Sequence, residues 1–263
     1  MIRLVAIAFL VLLAGGASAQ SVRFPSVAVG SSRAGPEISG WMYRPSGAGP
    51  LAGVVLAHPC NGVSRHTEMW GKLVASWGYV VVAPDSFGPR GEKTVCGRGG
   101  AVSPGMRVAD VAGAMDFLNA QPFVRRGEIG IIGHSHGGST AVKSAQGSYG
   151  LAARGLRAAI AYYPGCQAQF DRDVAVPLLI LIGDKDDWTP ADNCRRLQAA
   201  GFTRPDLVEI VYYPNALHSF DSRGPDRTIT VADGKSHRLG YDPSAAPDAE
   251  ARARAFLARY LGN

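Results

Sequence analysis

Runs of like charge are missing from this chain of 263 residues, although its formal net charge is +6. The 27 lysines and arginines are scattered along the sequence without forming a basic block. Surfaces that bind nucleic acids are typically marked by such a block, so the sequence predicts no nucleic-acid partner. With 46% hydrophobic and 18% charged residues, the chain has the composition of a packed globular protein.

Motifs that hold metals or nucleotides are also missing. The four cysteines form no Cys-x-x-Cys pair, and neither a Walker-type phosphate loop nor a Gly-x-Gly-x-x-Gly turn is present. His58, His134 and His136 are candidate metal ligands. However, a His-x-His pair on a tight turn directs its two rings apart, and no carboxylate or cysteine in these motifs completes a ligand set. We therefore expect no metal and no cofactor.

A long apolar run occurs only at the N-terminus. Arg3 precedes apolar residues 4–13, and Ala17-Ser18-Ala19 has the small residues of a cleavage site. The run is shorter than the roughly 20 residues of a membrane-spanning helix, which disfavours the alternative of an uncleaved anchor. The sequence thus predicts a signal peptide over residues 1–19 and a periplasmic or secreted domain over residues 20–263, with no membrane association after cleavage.

Export changes the interpretation of the four cysteines, Cys60, Cys96, Cys166 and Cys194. An even number of cysteines in an oxidising compartment is typical of disulfide bonds, and three pairings are possible. Pairing nearest neighbours gives Cys60–Cys96 and Cys166–Cys194, each contributing about 3–4 kcal/mol in the chain-entropy model. The alternative is that some or all of these thiols are free and buried.

Apolar runs alternate with amphipathic stretches after the N-terminal segment, which predicts one doubly wound α/β domain. The runs are continuously hydrophobic, as in parallel strands that are covered on both faces. The predicted strands are residues 22–29, 38–43, 53–57, 79–83, 129–132, 158–162, 178–182 and 207–213. The predicted helices are residues 68–77, 106–120, 138–146, 191–200 and 246–261. A polar segment, residues 221–247, is expected to wrap the surface or to form a lid.

A Gly-x-Ser-x-Gly motif around Ser135 follows the fifth predicted strand and precedes a helix. Its glycines allow a turn so sharp that the serine hydroxyl is lifted above the edge of the sheet, beside the first amides of the helix. This context predicts that Ser135 is a nucleophile. A purely structural tight turn is the alternative.

A serine nucleophile requires a base and a carboxylate that orients the base, and in this type of sheet they follow the serine in the order acid, then histidine. The loop after the seventh predicted strand contains Asp184, Asp186 and Asp187. Asp186 is the predicted acid from its position between the strand-ending glycine and a proline, and Asp187 remains the alternative. His218 follows the last strand and is the predicted base, whereas His237 is expected at the surface.

The same chemistry requires donors that stabilise an oxyanion. One predicted donor is the backbone N–H of His136, which follows the nucleophile. The second comes from the loop after the third strand, where Pro59 has no N–H. Cys60 or Asn61 must therefore supply it, and His58 is expected to hold this loop by hydrogen bonds.

Together these motifs resemble the dienelactone hydrolase family of α/β-hydrolases, over roughly residues 51–261. The resemblance rests on His58-Pro59-Cys60-Asn61-Gly62, Gly133-His134-Ser135-His136-Gly137-Gly138 and residues 83–91, 183–190, 213–220 and 241–243. It implies a Ser135, Asp186 and His218 triad, an oxyanion hole formed by the amides of Cys60 and His136, and no cofactor. The founding enzymes of the family use a cysteine nucleophile in the cytoplasm, whereas this chain has a serine and an export signal. The resemblance therefore supports the fold and the triad more than a dienelactone substrate, and a serine suits ordinary carboxylic esters at least as well.

Several side chains near the predicted site are candidates for substrate selection. Arg90 is a candidate partner for a substrate carboxylate, with a solvated loop arginine as the alternative. Trp188, Met69, Trp70 and Tyr163 are candidates for an apolar wall, with plain core packing as the alternative.

The sequence therefore predicts an exported serine hydrolase that acts on a small-molecule carboxylic ester through an acyl-enzyme. Two alternatives remain open. The first is a peptide or polyester hydrolase with the same triad, and the second is a non-catalytic binding protein on the same fold. The sequence carries no prediction of an oligomeric state.

Overall fold

The computed structural model describes residues 18–46, 49–98 and 100–262, so most of the predicted signal peptide lies outside the described residues. Eight strands form one sheet in the order β1-β2-β4-β3-β5-β6-β7-β8, and two further strands form a separate hairpin. The strands are β1 (Ser18–Pro25), β2 (Glu37–Arg44), β3 (Leu51–Ala57), β4 (Val80–Pro84), β5 (Val124–His134), β6 (Leu156–Tyr162), β7 (Leu178–Gly183), β8 (Val208–Tyr213), β9 (Arg227–Thr230) and β10 (Ser236–Leu239). The α-helices are α1 (Arg65–Ser76), α2 (Pro104–Asn119), α3 (His136–Ser144), α4 (Ala191–Ala200) and α5 (Ala245–Leu261).

The large sheet is mostly parallel, and this confirms the predicted single-domain α/β fold. Only β2 runs against its neighbours, since it pairs antiparallel with both β1 and β4. Strands β3 to β8 are parallel to one another. Their carboxyl ends therefore meet at one edge of the sheet, where ligands bind in folds of this type.

Helices cover both faces of the sheet, and each face has its own hydrophobic core. Helices α2, α3 and α4 pack on one face, and α1 and α5 pack on the other. Along β3, Val55 contributes to the first core while its neighbours Val54 and Leu56 contribute to the second. Successive side chains of a strand point to opposite faces, so a strand buried on both faces is continuously apolar. No helix in the described ranges is long and apolar enough to cross a membrane.

The structure differs from the prediction at the first strand and in the polar segment. Strand β1 ends at Pro25, because proline has no N–H to continue the ladder. The next residues leave the sheet, and the Val27 amide donates to the Ala109 carbonyl of α2 over 2.9 Å. In the polar segment, β9 and β10 form a short antiparallel hairpin that was not predicted. These strands are mostly exposed and pair only with each other among the described strands, so they carry no hydrophobic run.

Both disulfides that nearest-neighbour pairing predicted are present. Cys60–Cys96 joins the loop after β3 to the loop that precedes α2. Cys166–Cys194 joins the loop after β6 to α4. Each bond therefore fastens a loop at the carboxyl edge of the sheet to a neighbouring segment.

We expect the double substitution Cys166→Ala with Cys194→Ala to lower the free energy of unfolding by about 3–4 kcal/mol, because it releases a closed loop in the unfolded chain. Urea denaturation of the parent and the variant measures the difference. A reductant that opens both disulfides should lower the stability of the parent below that of this variant, which keeps Cys60–Cys96. The Cys60→Ala, Cys96→Ala pair is measured in parallel to give the contribution of the other bond. A variant with an unchanged denaturation midpoint would contradict the expectation.

Candidate active site

Ser135 lies at the sharp turn where β5 ends and α3 begins. Its backbone has φ 54° and ψ −114°, a conformation that residues other than glycine rarely adopt. The turn is tightly packed on both sides of the serine. A Cβ atom at Gly133 would clash with the carbonyl of Gly137, and a Cβ at Gly137 would clash with the carbonyl of Ala57 in β3. The glycines thus allow the close approach that holds the serine at the edge of the sheet.

The structure brings Ser135, His218 and Asp186 into one hydrogen-bonded chain. The Ser135 hydroxyl lies 3.0 Å from His218 Nε2, and His218 Nδ1 lies 2.8 Å from Asp186 Oδ2. All three side chains are buried. Because a carboxylate accepts hydrogen bonds, Nδ1 carries the imidazole proton, and Nε2 is left to accept from the serine.

The neighbouring backbone and Thr189 orient Asp186. The amides of Trp188 and Thr189 donate to Asp186 Oδ1 over 2.9 and 2.8 Å, and the Thr189 hydroxyl donates to Oδ2 over 2.8 Å. The competing aspartate, Asp187, accepts instead from the backbone amide of Arg238 over 3.1 Å. Of the two candidates, Asp186 is therefore the one placed at the imidazole.

The loop after β3 lies beside the serine and is held from two directions. The carbonyl of Cys60 accepts from the amide of Val95 over 2.8 Å, and the disulfide to Cys96 fastens the same residue. His58 accepts from the amide of Ser86 over 3.2 Å through Nε2, while its Nδ1 lies 2.8 Å from the carbonyl of Pro59. Burial, with the charge of a nearby arginine, holds the pKa of His58 well below its ordinary value. His58 is thus a neutral group that orders this loop.

A buried arginine, Arg107, holds the side chain of His136. Its guanidinium lies 2.9 Å from His136 Nδ1 and packs over the ring of Phe87. Burial lowers the pKa of Arg107 to about 9. Burial, with the charge of Arg107, lowers the pKa of His136 to about 3. His136 is therefore a neutral hydrogen-bond acceptor for the guanidinium, a contact that nothing in the local sequence predicted.

A cleft of about 260 Å³ opens over the serine. Its lining includes residues from the loops after β3, β6, β7 and β8 and from the β9–β10 hairpin. Two of the five predicted substrate-selecting side chains, Trp188 and Tyr163, line it and contact the His218 ring at centroid distances of 4.9 and 4.8 Å. The hairpin contributes Arg227 and Ile229.

Arg90 is the clearest departure from the predicted binding residues. Its guanidinium forms a bidentate pair with the buried carboxylate of Asp110, at 2.9 and 2.8 Å, and donates to the carbonyl of Ser86 over 2.7 Å. Arg90 is therefore neither a free partner for a substrate carboxylate nor the solvated loop arginine of the alternative, because an internal carboxylate already occupies its guanidinium. Ser26 donates to the same aspartate over 2.8 Å.

Two other predicted wall residues, Trp70 and Met69, also lie away from the cleft. Trp70 is buried in the core beneath it, and its indole N–H donates to Asp221 over 2.7 Å. Met69 is exposed on α1 and faces solvent. The two residues are neighbours on a helix, so their side chains point about 100° apart and cannot share one wall.

His237 is not at the surface, contrary to the prediction. It is buried, its ring stacks in parallel on Trp188 at 4.8 Å, and its Nδ1 lies 3.5 Å from Asp187. The β9–β10 hairpin is also joined to the Cys60–Cys96 loop, because the amide of Ala232 donates to the carbonyl of Cys96. The polar segment thus forms one wall of the cleft.

A sequence model of the dienelactone hydrolase family matches residues 38–261. The chain belongs to this family. It is 24% identical over 216 residues to a carboxymethylenebutenolidase-like protein of Methylorubrum extorquens, covering 75% of this chain and 73% of that protein. The family is one of hydrolases, which makes this chain a hydrolase-family member with a small-molecule substrate.

Solved structures of similar proteins share the fold. A dienelactone hydrolase-like protein of Klebsiella pneumoniae superposes with a TM-score of 0.69 at 22% identity, covering 92% of this chain and all of that one. A dienelactone hydrolase-like promiscuous phosphotriesterase from metagenomic libraries gives a TM-score of 0.68 at 19% identity, covering 94% of this chain. At these identities the likeness establishes the α/β-hydrolase fold alone.

Two of the neutral histidines, the buried His134 and the partly buried His136, predict how stability depends on pH. The pKa of both His134 and His136 is about 3, chiefly because burial disfavours the charged form. Between pH 6.5 and that value the unfolded chain binds more protons than the native state, so lowering the pH destabilises the native state by about 1.4 kcal/mol per pH unit for each histidine.

Urea denaturation of the parent and of His136→Gln over this pH range measures the effect. We expect the variant to lose stability less steeply by about 1.4 kcal/mol per pH unit, since the contribution of His136 is removed while those of the other histidines remain. Glutamine retains an oxygen that accepts from Arg107, which limits other losses. Parallel pH dependences for the two proteins would show that His136 is protonated in the native state.

Proposed function

We propose that this chain is a serine hydrolase that cleaves carboxylic ester bonds, with Ser135, His218 and Asp186 as its triad. The observation that carries the proposal is the continuous hydrogen-bonded chain of these three side chains at the floor of a cleft. The Ser135 backbone conformation and the order of the residues along the chain agree with it. A protein that only binds its ligand has no need for all three groups in this geometry.

In the proposed reaction, the Ser135 oxygen attacks the acyl carbon while His218 Nε2 takes its proton. Asp186 keeps the imidazole in the required tautomer and stabilises the imidazolium. The backbone amides of His136 and Cys60 stabilise the oxyanion, at about 3–4 kcal/mol for each donor. His218 then donates the proton to the leaving alcohol, and an acyl-enzyme remains. Water, deprotonated by His218, attacks this ester and releases the acid and the free serine.

The walls of the cleft favour a small ester with an apolar acyl group. Trp188, Tyr163, Ile229 and Leu239 supply apolar surface around the serine. The cleft volume of about 260 Å³ is small for a drug-sized ligand, so it disfavours an extended peptide or a polyester. Carboxylic esters, lactones included, are compatible with a serine nucleophile and with the name of the Methylorubrum relative.

We also propose that the protein is exported and that its signal peptide is cleaved behind Ala19. Two disulfides support this part of the proposal, because such bonds persist in oxidising compartments. Ser18 and Ala19 pair with Arg44 and Tyr43 at the start of β1. Cleavage there leaves the strand from Gln20 to Pro25 in place, so the sheet retains its edge.

Labelling with a fluorophosphonate tests the proposed nucleophile without a choice of substrate. We expect one covalent adduct on the parent by intact mass and none on Ser135→Ala, because only a serine activated by a base reacts readily. Ser76→Ala, an exposed serine at the end of α1, is the matched control and should be labelled like the parent. A folded, disulfide-bonded parent without an adduct would favour the binding-protein alternative.

Asparagine substitutions separate the two candidate acids. Asp186→Asn should lower kcat for 4-nitrophenyl acetate by about 10⁴-fold, because the amide favours the wrong imidazole tautomer. Asp187→Asn should leave kcat within about threefold, since Asp187 contacts the hairpin instead of His218. Steady-state kinetics of both variants provide the comparison. Equal losses in the two variants would contradict the assignment of Asp186.

A further inference from the structure

A second buried carboxylate lies close to His218 and has no role in the proposed reaction. Asp221 follows His218 by three residues, and only 4% of its side chain is exposed. Its Oδ1 accepts from the Tyr163 hydroxyl over 2.6 Å, and its Oδ2 accepts from Trp70 Nε1 and His66 Nε2, each over 2.7 Å. We call Asp221 and these three donors the Asp221 network.

The Asp221 network joins three separate parts of the fold. His66 and Trp70 are one helical turn apart on α1, so both side chains face the same direction. Tyr163 is the first residue after β6, and Asp221 lies in the loop after β8 that also carries His218. One carboxylate therefore connects a helix and the carboxyl ends of two strands directly behind the site.

Tyr163 transmits this connection to the triad through two contacts. Its ring packs edge-on against His218 at a centroid distance of 4.8 Å and an angle of 60°. Its carbonyl oxygen lies 3.1 Å from the oxygen of the Thr189 hydroxyl, which donates its single proton to Asp186 over 2.8 Å. The backbone of Tyr163 has φ 38°, in the left-handed region. The residue is thus held in an unfavourable conformation that places it against both the base and the acid loop.

Within the Asp221 network, the pKa values of Asp221 and Tyr163 are both shifted by their surroundings. Burial by itself raises the pKa of Asp221, but the charge and hydrogen bond of His66, with smaller effects from His134 and Tyr163, hold the pKa well below its ordinary value. Burial, together with the negative charge of Asp221, raises the pKa of the Tyr163 hydroxyl well above 10. Tyr163 therefore donates as a neutral phenol to an ionised carboxylate, which is the stronger kind of hydrogen bond.

We propose that Asp221 is a positioning residue, which orients the imidazole of His218 toward Ser135 by fixing the ring of Tyr163. This inference rests on the proposed function, since the orientation matters only if His218 is the base. Packing alone permits the Tyr163 ring to tilt. A tilted ring would leave room for the imidazole of His218 to rotate away from Ser135. The short bond from the phenol to a carboxylate that is held by two further donors removes this freedom.

Two members of the network, His66 and Asp221, together with His134 also present the donor set of a metal site, which is the competing interpretation. Ligand atoms of His66, His134 and Asp221 lie within 4.8 Å of one another. However, His134 Nε2 lies 3.7 Å from Asp221 Oδ2, and that oxygen already accepts two short hydrogen bonds. The contacts of Asp221 are those of a hydrogen-bonded carboxylate, so the positioning role is the one that we infer.

Tyr163→Phe tests the proposal because it removes the hydroxyl and keeps the ring. With 4-nitrophenyl acetate we expect kcat to fall about tenfold while KM stays within about twofold, because a misaligned base affects the chemical step more than binding. Tyr213→Phe is the matched control, since it removes a tyrosine–aspartate bond of 2.8 Å to Asp248 away from the cleft. A kcat for folded Tyr163→Phe equal to that of Tyr213→Phe would overturn the proposal.

A proton NMR readout makes the test independent of turnover. The Nδ1–H of His218, bonded to Asp186, should give a far-downfield resonance in the parent and in Tyr213→Phe, assigned by its loss in His218→Gln. We expect this resonance to shift or broaden in Tyr163→Phe and in Asp221→Asn. An unchanged resonance in Tyr163→Phe would overturn the proposal, and so would its absence from the parent. Failure of the fluorophosphonate to label the parent would refute the proposed function. The His218 resonance could still be measured in that case, because it does not depend on turnover.

Metal analysis of the purified protein tests the competing interpretation. We expect no stoichiometric zinc in the parent prepared without chelator, nor after dialysis against zinc and removal of the excess. About one bound equivalent that is lost in Asp221→Asn would overturn the proposal, because Asp221 would then serve as a metal ligand. Tyr213→Phe is again the control and should match the parent.

Discussion

At the turn between β5 and α3, the backbone runs so close to β3 that Gly133 and Gly137 have no room for a Cβ atom. This close approach goes together with the strained backbone conformation of Ser135. The amide of Ser135 donates to the carbonyl of Tyr162, at the end of β6, over 2.9 Å and holds the turn in place. The serine is thereby fixed relative to both neighbouring strands. Every other part of the candidate site is arranged around this position, because it is the one point that the sheet itself determines.

The parallel sheet explains how residues distant in sequence reach that point. His218 and Asp186 are 32 residues apart, and His218 and Ser135 are 83 apart. Each follows the carboxyl end of a strand, and β5 and β8 are separated by only β6 and β7 in the sheet. Loops that leave neighbouring strands at the same edge therefore converge without a long connection. The disulfides then fasten two of the loops at this edge, which reduces their freedom to move away from it.

Aromatic contacts around His218 suggest how the imidazole is kept in place. Trp188 and Tyr163 both contact its ring, and each is supported from behind by a further group. His237 stacks on Trp188, and the carboxylate of Asp221 accepts from Tyr163. Buried ionisable groups are expensive unless they are fully hydrogen-bonded, so their concentration next to the imidazole is a feature that core packing by itself does not require.

The sequence by itself determined the architecture, the nucleophile and the base of the hydrogen-bonded chain, and it favoured the disulfide pairing and Asp186 over their alternatives. Strand periodicity and the Gly-x-Ser-x-Gly turn are local patterns, and the order of residues after successive strands follows from the topology. Only the tertiary structure decided that Arg90 pairs with Asp110, that the polar segment forms a wall with His237 buried in it, and that Asp221 joins three elements. Those outcomes depend on which polar group comes within about 3 Å across the fold. The sequence around a residue does not indicate which distant group this will be.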